Sequence, residues 1–133
     1  TYKCLVAGTG NKIEDFGVGF YTKYGDGGVD ISPIADLFKS EVFSLASHLK
    51  ISESILTAKP TDGLWDDGRT DEDQMGANYY DLETTMKSIE KKVPNSNLSN
   101  KDKAIKKIFE KLHNQNKHKM LPIPVCKIPK EYL

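Results

Sequence analysis

The feature that most constrains this chain is a change of backbone character at one point. A short, largely apolar segment, Tyr2 to Ala7, runs into Gly8, and seven of the ten glycines then fall between Gly8 and Gly28. Glycine weakens helix and strand alike and lets the backbone come close to a ligand. A short apolar run closed by glycine reads as a buried strand of a parallel sheet. In open α/β sheets, ligands sit just beyond the carboxyl ends of the strands, and here that place is held by Gly8-Thr9-Gly10-Asn11. The pattern predicts an α/β chain with a loop-rich site directly after its first strand.

With 133 residues, 38% of them hydrophobic, the chain is long enough for one modest domain and too short for two. Nineteen Lys and Arg balance nineteen Asp and Glu, which argues against a general polyanion binder or a polybasic membrane clamp. The balance is not local. Residues 62 to 83 hold eight acids and one base, Arg69, whereas residues 101 to 119 hold seven lysines against Asp102 and Glu110. No run approaches the roughly 18 consecutive apolar residues of a membrane span. Cys4 and Cys126 are far apart and without metal-type spacing, so a reduced, cytoplasmic setting is expected. The opening reads as the middle of a strand rather than as a signal peptide, and a longer parent chain is expected.

Further on, Leu37, Phe38, Val42, Leu45, Ala46 and Leu49 recur at helical spacing and predict an amphipathic helix over 37–49. Ser52 is placed to cap a short turn over 53–56, and 59–69 reads as a mobile loop. Thr70-Asp71-Glu72-Asp73 has the form of a capping box that starts a short helix at Asp71. A further helix capped by Asp81 is expected through Leu82, Met86, Ile89 and Lys91, ended by Val93-Pro94. Ala104, Ile105, Ile108, Phe109 and Leu112 make the inward stripe of a last helix, before Pro122, Pro124 and Pro129 force an extended tail. A mostly helical layer against one visible strand is an incomplete inventory for an α/β domain, so further strands are expected outside these residues.

Thr9 offers a hydroxyl and Glu14 a hard oxygen ligand suited to Mg²⁺ shared with phosphates. Their spacing is equally compatible with a tight turn beside a solvated acid. Lys39 also reads as a lysine at a helix start, and Thr61 as a turn residue after Pro60. Trp65 suits either packing or a lid that excludes water. His113 and His118, five apart, are poorly spaced for a shared zinc on one helical face.

The joint pattern is more specific than its members. Gly8-Thr9-Gly10-Asn11-Lys12-Ile13-Glu14, Lys23-Tyr24-Gly25-Asp26-Gly27-Gly28-Val29-Asp30, Lys59-Pro60-Thr61-Asp62-Gly63-Leu64-Trp65, Arg69-Thr70-Asp71-Glu72-Asp73-Gln74 and His118-Lys119-Met120 stand in this order. Together they resemble the ammonia-dependent NAD synthetases. The resemblance implies the C-terminal part of an adenine-nucleotide-hydrolase-like, Rossmann-like parallel sheet with flanking helices, spanning 1–133 as a portion of one domain.

It also implies a two-stage reaction. ATP adenylates the nicotinate carboxylate of deamido-NAD with loss of pyrophosphate, and ammonia then displaces AMP. By resemblance, Thr9, Lys39 and Thr61 contact ATP, and Glu14 ligates Mg²⁺. Lys23, Asp30, His118 and Lys119 hold deamido-NAD, and Asp26 orients ammonia or takes a proton from ammonium. A cytoplasmic homodimer without nucleic-acid or membrane partners is expected.

One departure is plain. The family's Ser-Gly-Gly-x-Asp-Ser pyrophosphate loop is absent from these 133 residues, whose only Gly-Gly is Gly27-Gly28. Two rivals stay open: another ATP pyrophosphatase, such as a relative of GMP synthetase, and a non-catalytic module binding anions or nucleic acid through its lysine-rich helix.

Overall fold

The computed structural model describes residues 3–132. Thr1 and Tyr2, which open the expected first strand, and Leu133 lie outside the described residues. After the glycine turn comes a one-and-a-half-turn π-helix, Ile13–Val18. The α-helices follow as α1 (Lys39–His48), α2 (Glu53–Leu56), α3 (Asp71–Met75), α4 (Tyr79–Glu90) and α5 (Asn100–Met120). The core forms where the π-helix, α4 and α5 meet: Ile13, Val18, Phe38, Met75, Tyr79, Leu82 and Phe109 bury together, with Phe20, Met86, Ile105, Ile108 and Leu112 packed against them. The stripe expected on α5 faces this core, except that Ala104 is exposed.

Helix starts follow the sequence closely. Thr70 accepts from the Asp73 N–H and Asp73 bonds back to Thr70, so α3 begins at Asp71 as the capping pattern predicts. Ser99 and Asp102 do the same for α5. The expected Asp81 cap is displaced. Asn78 caps α4 by accepting from the Asp81 N–H at 2.8 Å, while the Asp81 carboxylate pairs with Lys101 on α5 at 2.9 Å.

Two expectations about burial are corrected. The segment before Gly8 is not a buried strand: Leu5 and Val6 are 69% and 55% exposed. Among the described residues the sheet is reduced to one parallel bridge between Ala7 and Ile31, with Gly8 N–H donating to Ile31 O at 2.7 Å and Asp30 N–H to Val6 O at 2.9 Å. A strand is buried only when neighbours cover both its faces, and this pairing covers one edge. Likewise the 37–49 helix exists, but its apolar stripe is open. Leu49 is 62% exposed and no residue of α1 is fully buried, because α1 meets the core through Phe38, just before its first turn.

Among the described residues, no helix is long and apolar enough to cross a membrane.

Candidate functional site

The glycine turn is converted into a site by Asn11. Its side chain, 2% exposed, accepts from the Ile13 and Glu14 N–H groups at 3.0 and 3.2 Å, and its own N–H donates to Glu14 Oε2 at 3.2 Å. Asn11-x-x-Glu14 is thus a reciprocal cap that starts the π-helix and fixes the Glu14 carboxylate in the same stroke. The other end is closed by Gly19, whose φ of 65° favours glycine.

Glu14 stands at the centre of a partly buried polar cluster. Lys39 Nζ lies 2.9 Å from Glu14 Oε1, and the Tyr79 hydroxyl lies 2.7 Å from the same oxygen and 3.2 Å from Asp71 Oδ2. Burial works to raise the Glu14 carboxyl, but hydrogen bonds from Lys39 and Tyr79 outweigh it and hold the group below its ordinary range. Burial and the adjacent Glu14 charge push the Tyr79 hydroxyl far up. For Asp71, burial wins and the carboxyl is raised. Asp71 is only 9% exposed, and its Oδ1 is buried without a hydrogen-bond partner.

Beside this cluster opens a cleft of about 240 Å³ bordered by Thr9, Glu14, Asp15, Asp26, Thr61 and Asp71 among others. Two adjoining hollows of about 240 and 320 Å³ continue it toward Lys119, and Tyr21 and Asp26 border all three. Asp26 Oδ1 accepts from the Thr22 N–H at 2.6 Å, so the turn holds the carboxylate at the junction. Asp15 fills the space left by Gly10, where a Cβ would lie 2.0 Å from Asp15 Oδ1. Burial, then the Glu14 and Asp26 charges, raise the Asp15 carboxyl to about 6. Thr61 donates to Arg69 O at 3.3 Å and accepts from the Gly63 N–H, which ties the acidic loop to itself across the cleft mouth. Trp65 is 51% exposed with the Arg69 guanidinium 4.4 Å over its ring, so it is not a packing residue.

The far wall is fastened by α5. His113 Nδ1 lies 2.7 Å from Gly17 O, so this nitrogen carries the proton. Asn116 donates to Val18 O at 2.9 Å, and Lys119 Nζ donates to Gly19 O and Tyr21 O at 2.9 and 2.7 Å. Residues three apart share a helical face, and this face carries the carbonyls of the glycine loop. Lys23 Nζ in turn donates to His118 O at 2.6 Å.

The structure therefore brings Thr9, Glu14, Asp26 and Thr61 to one cleft, with Lys39 reaching it only through Glu14, Lys119 at the far end of the adjoining hollows and Lys23 tied to His118. Asp30 is separate: it is exposed and accepts the Val6 N–H at 2.8 Å. The His118 ring faces its own helix at Gln115 O. Sequence reasoning missed Asn11, Asp15, Asp71 and Tyr79 as members of the site. The Asn11-x-x-Glu14 and His113-x-x-Asn116-x-x-Lys119 spacings are the signals that point to this geometry.

The Mg²⁺ implied by the resemblance fits the donors present. Among the described residues no three Asp, Glu, His or Cys side chains form a ready cage, and Mg²⁺ is usually held by one or two carboxylates plus phosphates. Glu14 and Asp71 are hard oxygen donors on one cleft, and the unpartnered Asp71 Oδ1 marks a local lack of positive charge.

Comparison with known proteins finds relatives in both sequence and fold. The family model described as NAD synthase matches residues 1–122. The NH(3)-dependent NAD(+) synthetase of Archaeoglobus fulgidus is 55% identical over 87 residues, 65% of this chain and 34% of that protein. Its counterpart in Methanosarcina acetivorans is 39% identical over 128 residues, 90% of this chain and 48% of that one. The chain thus spans about half or less of the curated relatives it matches. Among solved structures, NMN synthetase from Francisella tularensis superposes with a TM-score of 0.74 at 33% identity, over 97% of this chain and 48% of that one. The NH3-dependent NAD synthetase from Campylobacter jejuni, in complex with the nitrate ion, shares the fold with a TM-score of 0.66 at 23% identity, over 92% of this chain and 45% of that one. With the family model matched over residues 1–122 and a relative 39% identical over 90% of the chain, the chain belongs to the NAD synthase family.

Proposed function

We propose that this chain supplies the metal-binding and acceptor-binding side of an ATP-dependent amidation that converts the nicotinate carboxylate of deamido-NAD to the amide with ammonia. The observation that carries this reading is the Glu14 carboxylate, locked by Asn11, Lys39 and Tyr79 at the head of a cleft whose centre is Asp26. Bound Mg²⁺ would neutralise phosphate charge so that two polyanions can meet. Glu14 is the residue that the resemblance implies would hold it. Lys39 and Thr61, with Thr9 at the rim, face the ATP phosphates. Lys119 spends two of its three N–H donors on Gly19 and Tyr21 and keeps one for the acceptor nucleotide. Lys23, tied to His118 O beside Lys119, is assigned to the same side, whereas Asp30 and the His118 ring lie away from the cleft and keep only the assignment that the resemblance implies.

In the first stage a carboxylate oxygen attacks the α-phosphorus and pyrophosphate leaves. In the second, ammonia forms the C–N bond, the bond to AMP breaks, and Asp26 receives a proton from ammonium. The open apolar side chains of α1 favour a paired assembly, in keeping with a homodimer.

A second reading of the acceptor is favoured by the likeness to Francisella NMN synthetase over 97% of the chain: the same chemistry acting on the mononucleotide carboxylate. The test is kinetic. A polypeptide carrying these residues at the full length of their relatives is given ATP, Mg²⁺ and ammonium with deamido-NAD or nicotinate mononucleotide, and AMP release is followed. Higher kcat/KM for deamido-NAD upholds the first reading, higher kcat/KM for the mononucleotide the second, and AMP release with neither acceptor overturns both.

A further inference from the structure

The Asp71 side chain has no role in the resemblance, yet it is the most deeply buried carboxylate bordering the cleft that Glu14 heads. Its surroundings are short of donors. Tyr79 has one hydroxyl proton and two carboxylate oxygens within reach, at 2.7 and 3.2 Å, so only one of them receives it fully. Asp71 Oδ1 receives nothing. The one cation at bonding distance, Lys39 Nζ, lies on Glu14 and balances one of the two charges. A buried carboxylate oxygen without a donor is costly, and folds keep such atoms when something else meets them. Here the unpartnered side chain borders an acidic cleft, next to a carboxylate of the hardness that divalent cations select.

We propose that Asp71 is a second carboxylate ligand of a divalent cation shared with Glu14, and that Tyr79 holds the two carboxylates in register for it. The inference rests on the reading above only for the presence of a cation at Glu14. A cation between the two carboxylates meets the lone pair that the protein leaves bare and supplies the positive charge that Lys39 does not.

The test is direct Mn²⁺ binding to the 133-residue chain, read from loss of the free Mn²⁺ signal in electron paramagnetic resonance, with no nucleotide and no turnover. Asp71→Asn and Glu14→Gln should each weaken binding about tenfold or more, while Asp66→Asn, on the exposed loop, leaves it unchanged. Circular dichroism confirms that each variant is folded. Tyr79→Phe keeps the aromatic packing but removes the hydroxyl that bridges Glu14 and Asp71, and should weaken Mn²⁺ several-fold because the two carboxylates are no longer held in register. It keeps the proposal testable if Asp71→Asn does not fold. Wild-type affinity in Asp71→Asn, equal weakening in Asp66→Asn, unchanged or tightened binding in Tyr79→Phe, or no binding by the parent chain would each overturn the proposal. None of these outcomes bears on whether the full-length polypeptide releases AMP, so failure here is distinguishable from failure of the functional reading.

Discussion

Asp15 sits one residue from Glu14 yet has the opposite fate: Glu14 is surrounded by donors and held low, while Asp15 faces Gly10 and two other carboxylates and rises to about 6. Its folded value lies above the ordinary 3.8, so ionisation opposes folding. That penalty is absent below about pH 4, grows as the pH rises to about 6 and is complete above it. In EDTA, Asp15→Asn should therefore melt at the parent's temperature near pH 4 and above it near pH 7.5. The gain is small because the carboxylate still meets solvent. A gain independent of pH would show an ordinary surface acid.

For Lys119, replacement by Ala in the full-length polypeptide should raise KM for the acceptor nucleotide on the order of tenfold, the scale of one charge-assisted hydrogen bond, and leave KM for ATP nearly unchanged. Equal damage from Lys107→Ala would point to general electrostatics instead. The Lys119 assignment was legible as chemistry but not as geometry. A lysine at the end of a basic helix suggests phosphate, while its two carbonyl partners lie 98 and 100 residues away and leave no local trace.

A cap is a local event within four residues, so the start of α3 was readable from Thr70, whereas α4, read as capped by Asp81, is capped by Asn78, and the Ser99 cap of α5 went unread. The π-helix was not readable, since six residues carry too little periodicity to distinguish a turn from a helix. The first strand misled because an apolar run says what a segment would bury, not what is there to bury it. Thr70→Ala should lower stability by about 1 kcal/mol in denaturant titration and loosen the helix that presents Asp71. A loss under a few tenths would mean that the loop, rather than the cap, seats α3. Phe109 joins α5 to the π-helix and the core, and its replacement by Ala should cost about 3–5 kcal/mol, visible as a lower urea midpoint. A loss below 1 kcal/mol would show that the two elements are held by their polar contacts.

At the scale of the molecule, the acidic stretch read from the sequence lines one side of the cleft, while the end of α5 closes the adjoining hollows through Asn116 and Lys119. The order of motifs was enough for the family. The pairing of those two parts was not legible, because it depends on contacts between opposite ends of the chain. Since no Ser-Gly-Gly-x-Asp-Ser loop is present in the 133 residues, the purified chain by itself should release no AMP from ATP, deamido-NAD and ammonium. Measurable turnover would show that the donors of that loop are dispensable.

The face of α5 that carries His113, Asn116 and Lys119 has a consequence in time. Its three side chains satisfy the carbonyls of Gly17, Val18, Gly19 and Tyr21, and no nearer part of the sequence offers these bonds. During synthesis the glycine loop therefore leaves the ribosome about a hundred residues before its fastenings do. Until α5 arrives, the segment holding Glu14 and Asp26 is an unshaped, water-bonded stretch of nascent chain. The cleft takes its form only once α5 has been made, and a chain ending before His113 would carry Glu14 and Asp26 without the contacts that fix the loop between them.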